Sequence, residues 1–490
     1  MKIRNKQKIH FVGIGGVSMS SLAVWAKRCG HEVSGSDMQY SDIVKKLINF
    51  GINISIGHDI NNVKEASLVV YSNATDTSCE VAHAKKLGIK TVSRAQFLAG
   101  VLKEYSNTVC VAGAHGKTTT TALVYNVLKT AGKLPSLHLG ANLISSGRSY
   151  EYSNKDYMVC EACEYKDAFL HFPTSIGVIL NIAPEHLDYF KDYNGVLNSF
   201  NKFANNSQNL VINYDFFNKN AVFFEHFDKK VLTFGLNYGN FTAKNIVQNN
   251  NGTYCFDCYK NDKYYLKIKL NLIGKHNVLN ALATIAVCDM LKISKKHICT
   301  GLQTFEGVER RFEYLHKDKF LVHDYAHHPD EISATLTETL NFYKHKLLVV
   351  FQPHTYSRTK HLMQDFKKCF LKAKEVLILK TYSAREKYDA KGSAKCLANN
   401  LGNNAKYIRS FKIAKEYVCD KIKQGYGVLF LGAGDIYSFS KIVAKLCWQD
   451  SYNVLDFNPL NIKIYLKWRW NYESWNPTKL PWSYSYLRMW

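Results

Sequence analysis

The chain has 490 residues, too many for one hydrophobic core, so several domains are expected. It carries 64 Lys and Arg against 40 Asp and Glu, a net charge of +24 that favours phosphorylated small substrates. The lysines are dispersed without a recognition helix, zinc finger or aromatic RNA-binding signature, which argues against nucleic acid as a partner. No apolar stretch is as long as a membrane span, the opening residues run straight into a strand-like segment, and the 13 cysteines lack framework spacing. A reduced, cytoplasmic protein without stable membrane insertion is expected.

Lys8 to Val12 reads as a strand, followed by Gly13-Ile14-Gly15-Gly16-Val17-Ser18, an amphipathic helix to about Arg28 and a second strand ending near Asp37. This opening suits a pyrophosphate: Gly13 and Gly15 permit close approach, and Asp37 stands where an acidic partner for a ribose belongs. Ser18 replaces the third glycine of the dinucleotide fingerprint, which taken alone suggests NAD equally well. Strands at Leu68 to Tyr71 and near Thr91 complete a Rossmann-like unit over 1–104, with a polar linker at Lys103 to Asn107.

The most informative segment is Gly113-Ala114-His115-Gly116-Lys117-Thr118, which follows the apolar run Thr108 to Ala112 and opens a helix-like stretch from Thr119 to Thr130. Glycine lets backbone N–H groups converge on an anion and the helix start adds its positive end. Lys117 supplies a mobile cation, and Thr118 offers a hydroxyl to Mg2+. Val111 stands where the strict phosphate loop has glycine, making this a shortened relative of that loop. Residues 105–312 therefore read as a central P-loop-type ATPase domain. Glu161, at the end of the strand-like run Tyr157 to Ala162, is expected to share a metal ion with Thr118, with Glu164 as its rival. His186, beyond the strand Ile176 to Asn181, is a further ligand candidate. The pairs Cys160/Cys163 and Cys255/Cys258 lack zinc-ribbon spacing. A polar stretch rich in Asn and aromatics near 240–270 reads as an insertion. Asn277, ahead of the helix Ala281 to Leu291, carries an amide suited either to both edges of adenine or to a helix cap.

Residues 313–448 read as a second Rossmann-like α/β domain, with strands at Leu347 to Phe351, Val376 to Leu379 and Val428 to Leu431 and a glycine turn at Gly432 to Asp435. Arg310 and Arg311 precede it, and a planar guanidinium suits phosphate. Asp324-Tyr325-Ala326-His327-His328 and the run from Phe351 through His354 to Arg358 each follow a strand, gathering ionisable groups at one sheet edge. The segment 449–490 holds five of the seven tryptophans without clear periodicity and reads as an appended tail whose deletion leaves catalysis intact.

Over residues 8 to 447 the chain resembles the Mur ligases. The resemblance rests on HFVGIGGVSMSSLA, VSGSD, GAHGKTTTT, CEACEYKDAFL, NIAPEHLDYF, GKHNVLNALA, GVERRFE, DYAHHPDEI, FQPHTYSRT and LGAGDI, all in the family's order. The motifs are most similar to the branch that joins L-alanine to UDP-N-acetylmuramate in peptidoglycan synthesis; a relative that recycles murein peptide onto the same sugar nucleotide is the alternative.

The resemblance implies three α/β domains, ATP as the energy source, and Mg2+, with Mn2+ as a substitute. It implies that the first domain holds UDP instead of NAD, through Gly13, Ile14, Gly15, Gly16, Val17, Ser18, Asp37, Ser72 and Asn73. ATP would meet Gly113, Ala114, His115, Gly116, Lys117, Thr118, Thr119, Asn277, Arg311 and Asp324, and the metal Thr118, Glu161 and His186. Tyr325, His327, His354 and Arg358 would face the muramyl acid and alanine, with Lys117, His327 and Arg358 catalytic. In the implied reaction the lactyl carboxylate attacks the γ-phosphate, and the amine of alanine then displaces phosphate from the acyl phosphate. A monomer or homodimer is expected. Ala114 where many members have Thr, and Glu185 where Asp is common, are this chain's departures.

Overall fold

The computed structural model describes residues 6–221, 228–384 and 386–452; most of the tryptophan-rich tail, 453–490, lies outside the described residues. Three sheets follow one another along the chain. The first comprises β1 (Lys8–Val12), β2 (Glu32–Asp37), β3 (Asn53–Ile56), β4 (Leu68–Tyr71) and β5 (Lys90–Ser93), all parallel, in the order β3-β2-β1-β4-β5. Strand order reverses between β1 and β4, which opens a crevice at their carboxyl ends, and the glycine turn after β1 lies there. Gly35 is required beneath that turn, because a Cβ would lie 2.6 Å from Ile14 Cδ1.

The central sheet contains β6 (Asn107–Ala112), β7 (Ser136–His138), β8 (Tyr150–Glu151), β9 (Tyr157–Glu161), β10 (Thr174–Ile179), β11 (Ser207–Asn213), β12 (Val231–Phe234), β13 (Phe241–Gln248), β14 (Thr253–Lys260) and β15 (Lys263–Ile273). Its order is β15-β14-β13-β12-β11-β10-β6-β9-β7-β8. β6 lies between β10 and β9, parallel to both, so its carboxyl end is a second switch point, and Thr108 to Ala112 are all buried. The stretch read as an insertion is instead sheet. In β15 Leu266, Ile268 and Leu270 are buried while Lys267 and Lys269 are exposed, and the buried set packs with Val278, Leu282 and Ile285 of the helix His276–Met290. Its polar residues are the outward half of a period-two pattern.

The third sheet is β16 (Glu313–His316), β17 (Leu321–Asp324), β18 (Leu347–Phe351), β19 (Val376–Leu379), β20 (Ala405–Ile408) and β21 (Gly427–Leu431), ordered β16-β17-β21-β18-β19-β20 and parallel except for β16. Both faces are covered: Val349, Phe351 and Leu429 enter one core, Leu348, Val350 and Phe430 the other. The last helix, Ile436–Tyr452, runs past 448 into the first residues read as tail.

Candidate active site

The turn after β6 is held open by glycine. Gly113 and Gly116 have φ of 142° and 86°, and a Cβ on Gly116 would lie 2.6 Å from Asn280 Oδ1. The helix Lys117–Thr130 begins immediately after, and Thr118, in its first turn, is buried. Asn181 clamps the loop, accepting from His115 N at 2.8 Å and donating to His115 O at 2.9 Å. Lys117 Nζ donates to the carbonyl oxygens of Gly113 and Ala114 and lies 3.2 Å from Glu164 Oε2. A cationic, N–H-lined cradle at a helix start is the result.

Beside it lie Glu164, Glu185 and His186, whose ligand atoms fall within 4.8 Å of one another. His186 Nε2 is 3.8 Å from Glu164 Oε1, and its ring packs on Tyr165 at 4.7 Å between centroids. Among the described residues this is the one group of three or more His, Cys, Asp or Glu spaced for a cation, and neither CxxC pair belongs to it. The set expected from sequence was Thr118, Glu161 and His186. The structure puts Glu164 and Glu185 beside His186, while Glu161 lies outside the group. Glu161 closes β9, and its Oε1 accepts from the N–H of Gly140 at 3.0 Å; Glu164, three residues past the strand, reaches Lys117. Two carboxylates and an imidazole fit a divalent cation: the oxygens suit Mg2+, and the nitrogen makes Mn2+ acceptable.

A cleft of about 2010 Å³ separates this cradle from the third sheet. It is lined by Ala114, His115, Gly116, Lys117, Thr118, Thr119, His186 and Asn277 on one side and by Arg311, Asp324, Tyr325, His327 and Arg358 on the other. Gly113 underlies the loop, and His354 stands behind His327 at 5.6 Å between ring centroids. His115 spans the cleft, 3.8 Å from Glu185 and 3.9 Å from Glu331.

Several candidates are already engaged. Asn277 donates to Ile273 O at 2.7 Å and accepts from Asn280 at 2.8 Å, which fixes the amide at the cleft wall and leaves its second N–H and second lone pair for a ligand. Asp324 accepts from Phe312 N at 2.8 Å and Ala326 N at 2.9 Å, fixing the linker between the second and third units. The Tyr325 ring lies between the guanidinium groups of Arg310 at 4.9 Å and Arg311 at 5.2 Å. Arg310 also donates to Ala433 O at 2.7 Å, tying the linker to the Gly432–Asp435 turn.

Burial lowers the pKa of His327, and burial, then repulsion from His327 were both rings to protonate, and the Arg358 charge bring His354 down to about 4. Both imidazoles are therefore neutral hydrogen-bonding groups at neutral pH, and Arg358, whose Nη1 is 3.4 Å from His354 Nδ1, is the fixed cation of this edge. Glu331, which was not anticipated, fixes the backbone beneath the ring by accepting from the main-chain N–H of His327 at 3.1 Å and that of His328 at 3.3 Å. Its signal was the capping-box spacing from His328 to Glu331 at the start of the helix Pro329–Phe342.

The residues expected to hold UDP form a separate crevice on the first sheet. Asp37 Oδ2 accepts from Gly15 N at 2.8 Å, so this carboxylate closes the glycine turn. Ile14 is fully buried, leaving only its backbone for a ligand; Gly16 caps the helix Val17–Arg28; Ser72 stands beside Gly13, and Asn73 is exposed. Ser18 turns toward the central sheet. Behind β2, buried Glu80 accepts from His58 at 2.6 Å, Asn62 at 2.7 Å and Ser36 at 2.7 Å. Burial would raise its carboxyl, but the His10 ring, with Nε2 3.7 Å away, and hydrogen bonds from Asn62 and Ser36 outweigh that and hold it at about 2.

Descriptions of three family domains match in the same order: "Mur ligase family, catalytic domain" over residues 8–106, "Mur ligase middle domain" over 111–288 and "Mur ligase, glutamate ligase domain" over 310–434. The chain belongs to the Mur ligase family. Among curated relatives, UDP-N-acetylmuramate--L-alanine ligase of Clostridium tetani is 40% identical over 448 residues, covering 90% of this chain and 98% of that one. The ligase of the same name from Clostridium novyi is 41% identical, covering 88% and 96%. The crystal structure of UDP-N-acetylmuramate-alanine ligase from Thermotoga maritima superposes with a TM-score of 0.79 at 30% identity, covering 91% of this chain and 100% of that one. A murein peptide ligase from Psychrobacter arcticus shares the fold, with a TM-score of 0.65 at 21% identity over 89% and 98% of the two chains. This Mur ligase is thus built from a nucleotide-type crevice, a phosphate cradle and a cationic sheet edge, with no described helix long and apolar enough to cross a membrane.

Proposed function

We propose that this Mur ligase joins L-alanine to the lactyl carboxylate of UDP-N-acetylmuramate at the expense of ATP, in the cytoplasmic steps of peptidoglycan precursor synthesis. The observation that carries the reading is the cleft in which Lys117 and the Glu164, Glu185 and His186 group face Arg358 and His327. Relatives of about 40% identity over nearly their whole length bear the corresponding name.

The chemistry asked of these residues is the control of negative charge. An anionic carboxylate must approach the γ-phosphate of an anionic triphosphate, and repulsion between them dominates the barrier. The loop N–H groups and Lys117 hold the phosphate chain, Lys117 exchanging its contact with Glu164 for phosphoryl oxygens. A divalent cation, Mg2+ or Mn2+, held by Glu164, Glu185 and His186, supplies further neutralisation of phosphate charge when bound. Arg358 orients carboxylate through its fork of donors, and neutral His327 and His354 complete a site for the acid and the incoming amine. Closing the cleft excludes water from the activated acyl group.

Purified protein supplied with ATP, Mg2+ and UDP-N-acetylmuramate tests this by competition between L-alanine and a murein tripeptide. Formation of the alanyl product with equimolar ADP is expected. Product from the tripeptide alone would assign the recycling activity instead.

A further inference from the structure

Away from the cleft, one buried side chain joins the first sheet to the second. His138, the last residue of β7, is 3% exposed, and its two ring nitrogens reach two serines of the first unit: Nε2 lies 2.8 Å from Ser18 Oγ and Nδ1 3.1 Å from Ser21 Oγ. Both serines lie at the start of the helix Val17–Arg28, directly after the glycine turn. Arg94 Nη1 donates to Ser18 Oγ at 3.0 Å, and Tyr152 donates to Ser21 O at 3.0 Å.

The protons around this imidazole have one consistent arrangement. Ser21 Oγ donates to Ser18 O at 2.8 Å, which spends its only hydrogen, so Nδ1–H donates to Ser21 Oγ. Nε2 then accepts from Ser18 O–H, whose oxygen accepts from Arg94. Burial, followed by the nearby positive charge of Arg94, brings this imidazole down to about 3, so the neutral tautomer persists throughout the working range.

Beyond β7, Gly140 N donates to Glu161 at 3.0 Å, at the carboxyl end of β9, where Glu161 pairs with Val111 of the strand that precedes the phosphate cradle. The serine standing in place of the third fingerprint glycine thus has a partner on the opposite sheet. We infer that His138 is a positioning residue, docking the glycine turn of the first sheet in fixed register against β7 of the central sheet, two strands from the one that leads to the phosphate cradle. A sugar nucleotide seated on that turn is then aimed at the second sheet. The identity of that ligand rests on the function proposed above; the docking itself does not.

The test compares His138→Leu, His138→Gln and Ser21→Ala in the full chain. Leucine has similar bulk and neither polar atom, so it strands the Ser18 hydroxyl; glutamine retains a donor and an acceptor. His138→Leu is expected to raise the KM for UDP-N-acetylmuramate about tenfold and to speed amide hydrogen exchange in Val17–Arg28 by a similar factor. The KM for ATP and kcat should stay within about twofold, with His138→Gln recovering most of the loss. Unchanged exchange and sugar KM, or parallel losses in both KM values and kcat, would overturn the inference. If the leucine variant does not fold, Ser21→Ala decides, with about a threefold rise in sugar KM expected and no rise contradicting it. A wild-type protein without affinity for the sugar nucleotide refutes the proposed function alone, since hydrogen exchange still reports on the docking.

Discussion

Replacing Lys117 with methionine separates the catalytic role of this lysine from its role in the resting fold. Its ammonium lies 3.2 Å from Glu164 Oε2, with side-chain exposures of 18% and 3%. At an effective dielectric of about 20 the attraction at that separation is roughly 5 kcal/mol, most of it offset by the desolvation of two charges. Glu164 keeps His186 at 3.8 Å, so a net stability loss of about 2 kcal/mol is expected for Lys117→Met. The catalytic loss should be larger: removing one preorganised donor to a transferring oxyanion costs about 10²–10³ in kcat, roughly 3–4 kcal/mol. The double variant Lys117→Met/Glu164→Gln removes the stranded carboxylate, so thermal melting should return toward wild type while ADP release stays at or below the single-variant rate. A single variant within tenfold of wild type, or turnover rescued by the second substitution, would refute this reasoning.

Further outcomes follow from the same geometry. Glu164→Gln should raise the Mg2+ concentration for half-maximal rate by about tenfold and Glu161→Gln by much less; the reverse order in a metal titration would return the site to the strand end. Arg358→Lys keeps the charge but loses the planar fork, so the KM for the sugar nucleotide or for alanine should rise about tenfold with that for ATP unchanged in steady-state kinetics. Urea unfolding at pH 2.5–8 should show stability falling with acidity. His138 and His323 are held at about 3 and His354 at about 4, below the ordinary 6.5, so the unfolded chain binds more protons between those limits and stability drops as pH falls below about 6.5. Glu80, held at about 2 against an ordinary 4.5, adds a loss as pH falls below about 4.5, and Glu80→Gln should flatten that lower part of the profile.

The phosphate loop was legible because its chemistry is local: an apolar strand, two glycines, Lys-Thr and a helix are contiguous, and Gly113 and Gly116 do adopt positive φ. The strands β1, β4, β18, β19 and β21 were legible for a related reason, since buried parallel strands read as continuous apolar runs, whereas the more exposed β3, β16 and β20 gave no such run. Choosing between Glu161 and Glu164 was not possible on that basis, because the grouping of Glu164 with Glu185 and His186 depends on segments about twenty residues apart. Asn277 carries an amide suited to adenine, and the partners that fix its orientation, Ile273 and Asn280, appear only once the helix is formed. His138 and Glu80 gave no signal, because a lone buried histidine or glutamate acquires meaning only from the serines, histidines and asparagine that tertiary packing brings to it. Polar composition concealed β13–β15, whose outward faces carry the lysines and asparagines.

The central claim is that ATP activates the acid of the sugar nucleotide by taking one of its oxygens. UDP-N-acetylmuramate labelled with ¹⁸O in the lactyl carboxylate, turned over with ATP and L-alanine, tests it most directly by mass spectrometry of the phosphate released. One labelled oxygen per phosphate, with its partner retained in the amide, is the expected result. Unlabelled phosphate accompanying the alanyl product would contradict the account.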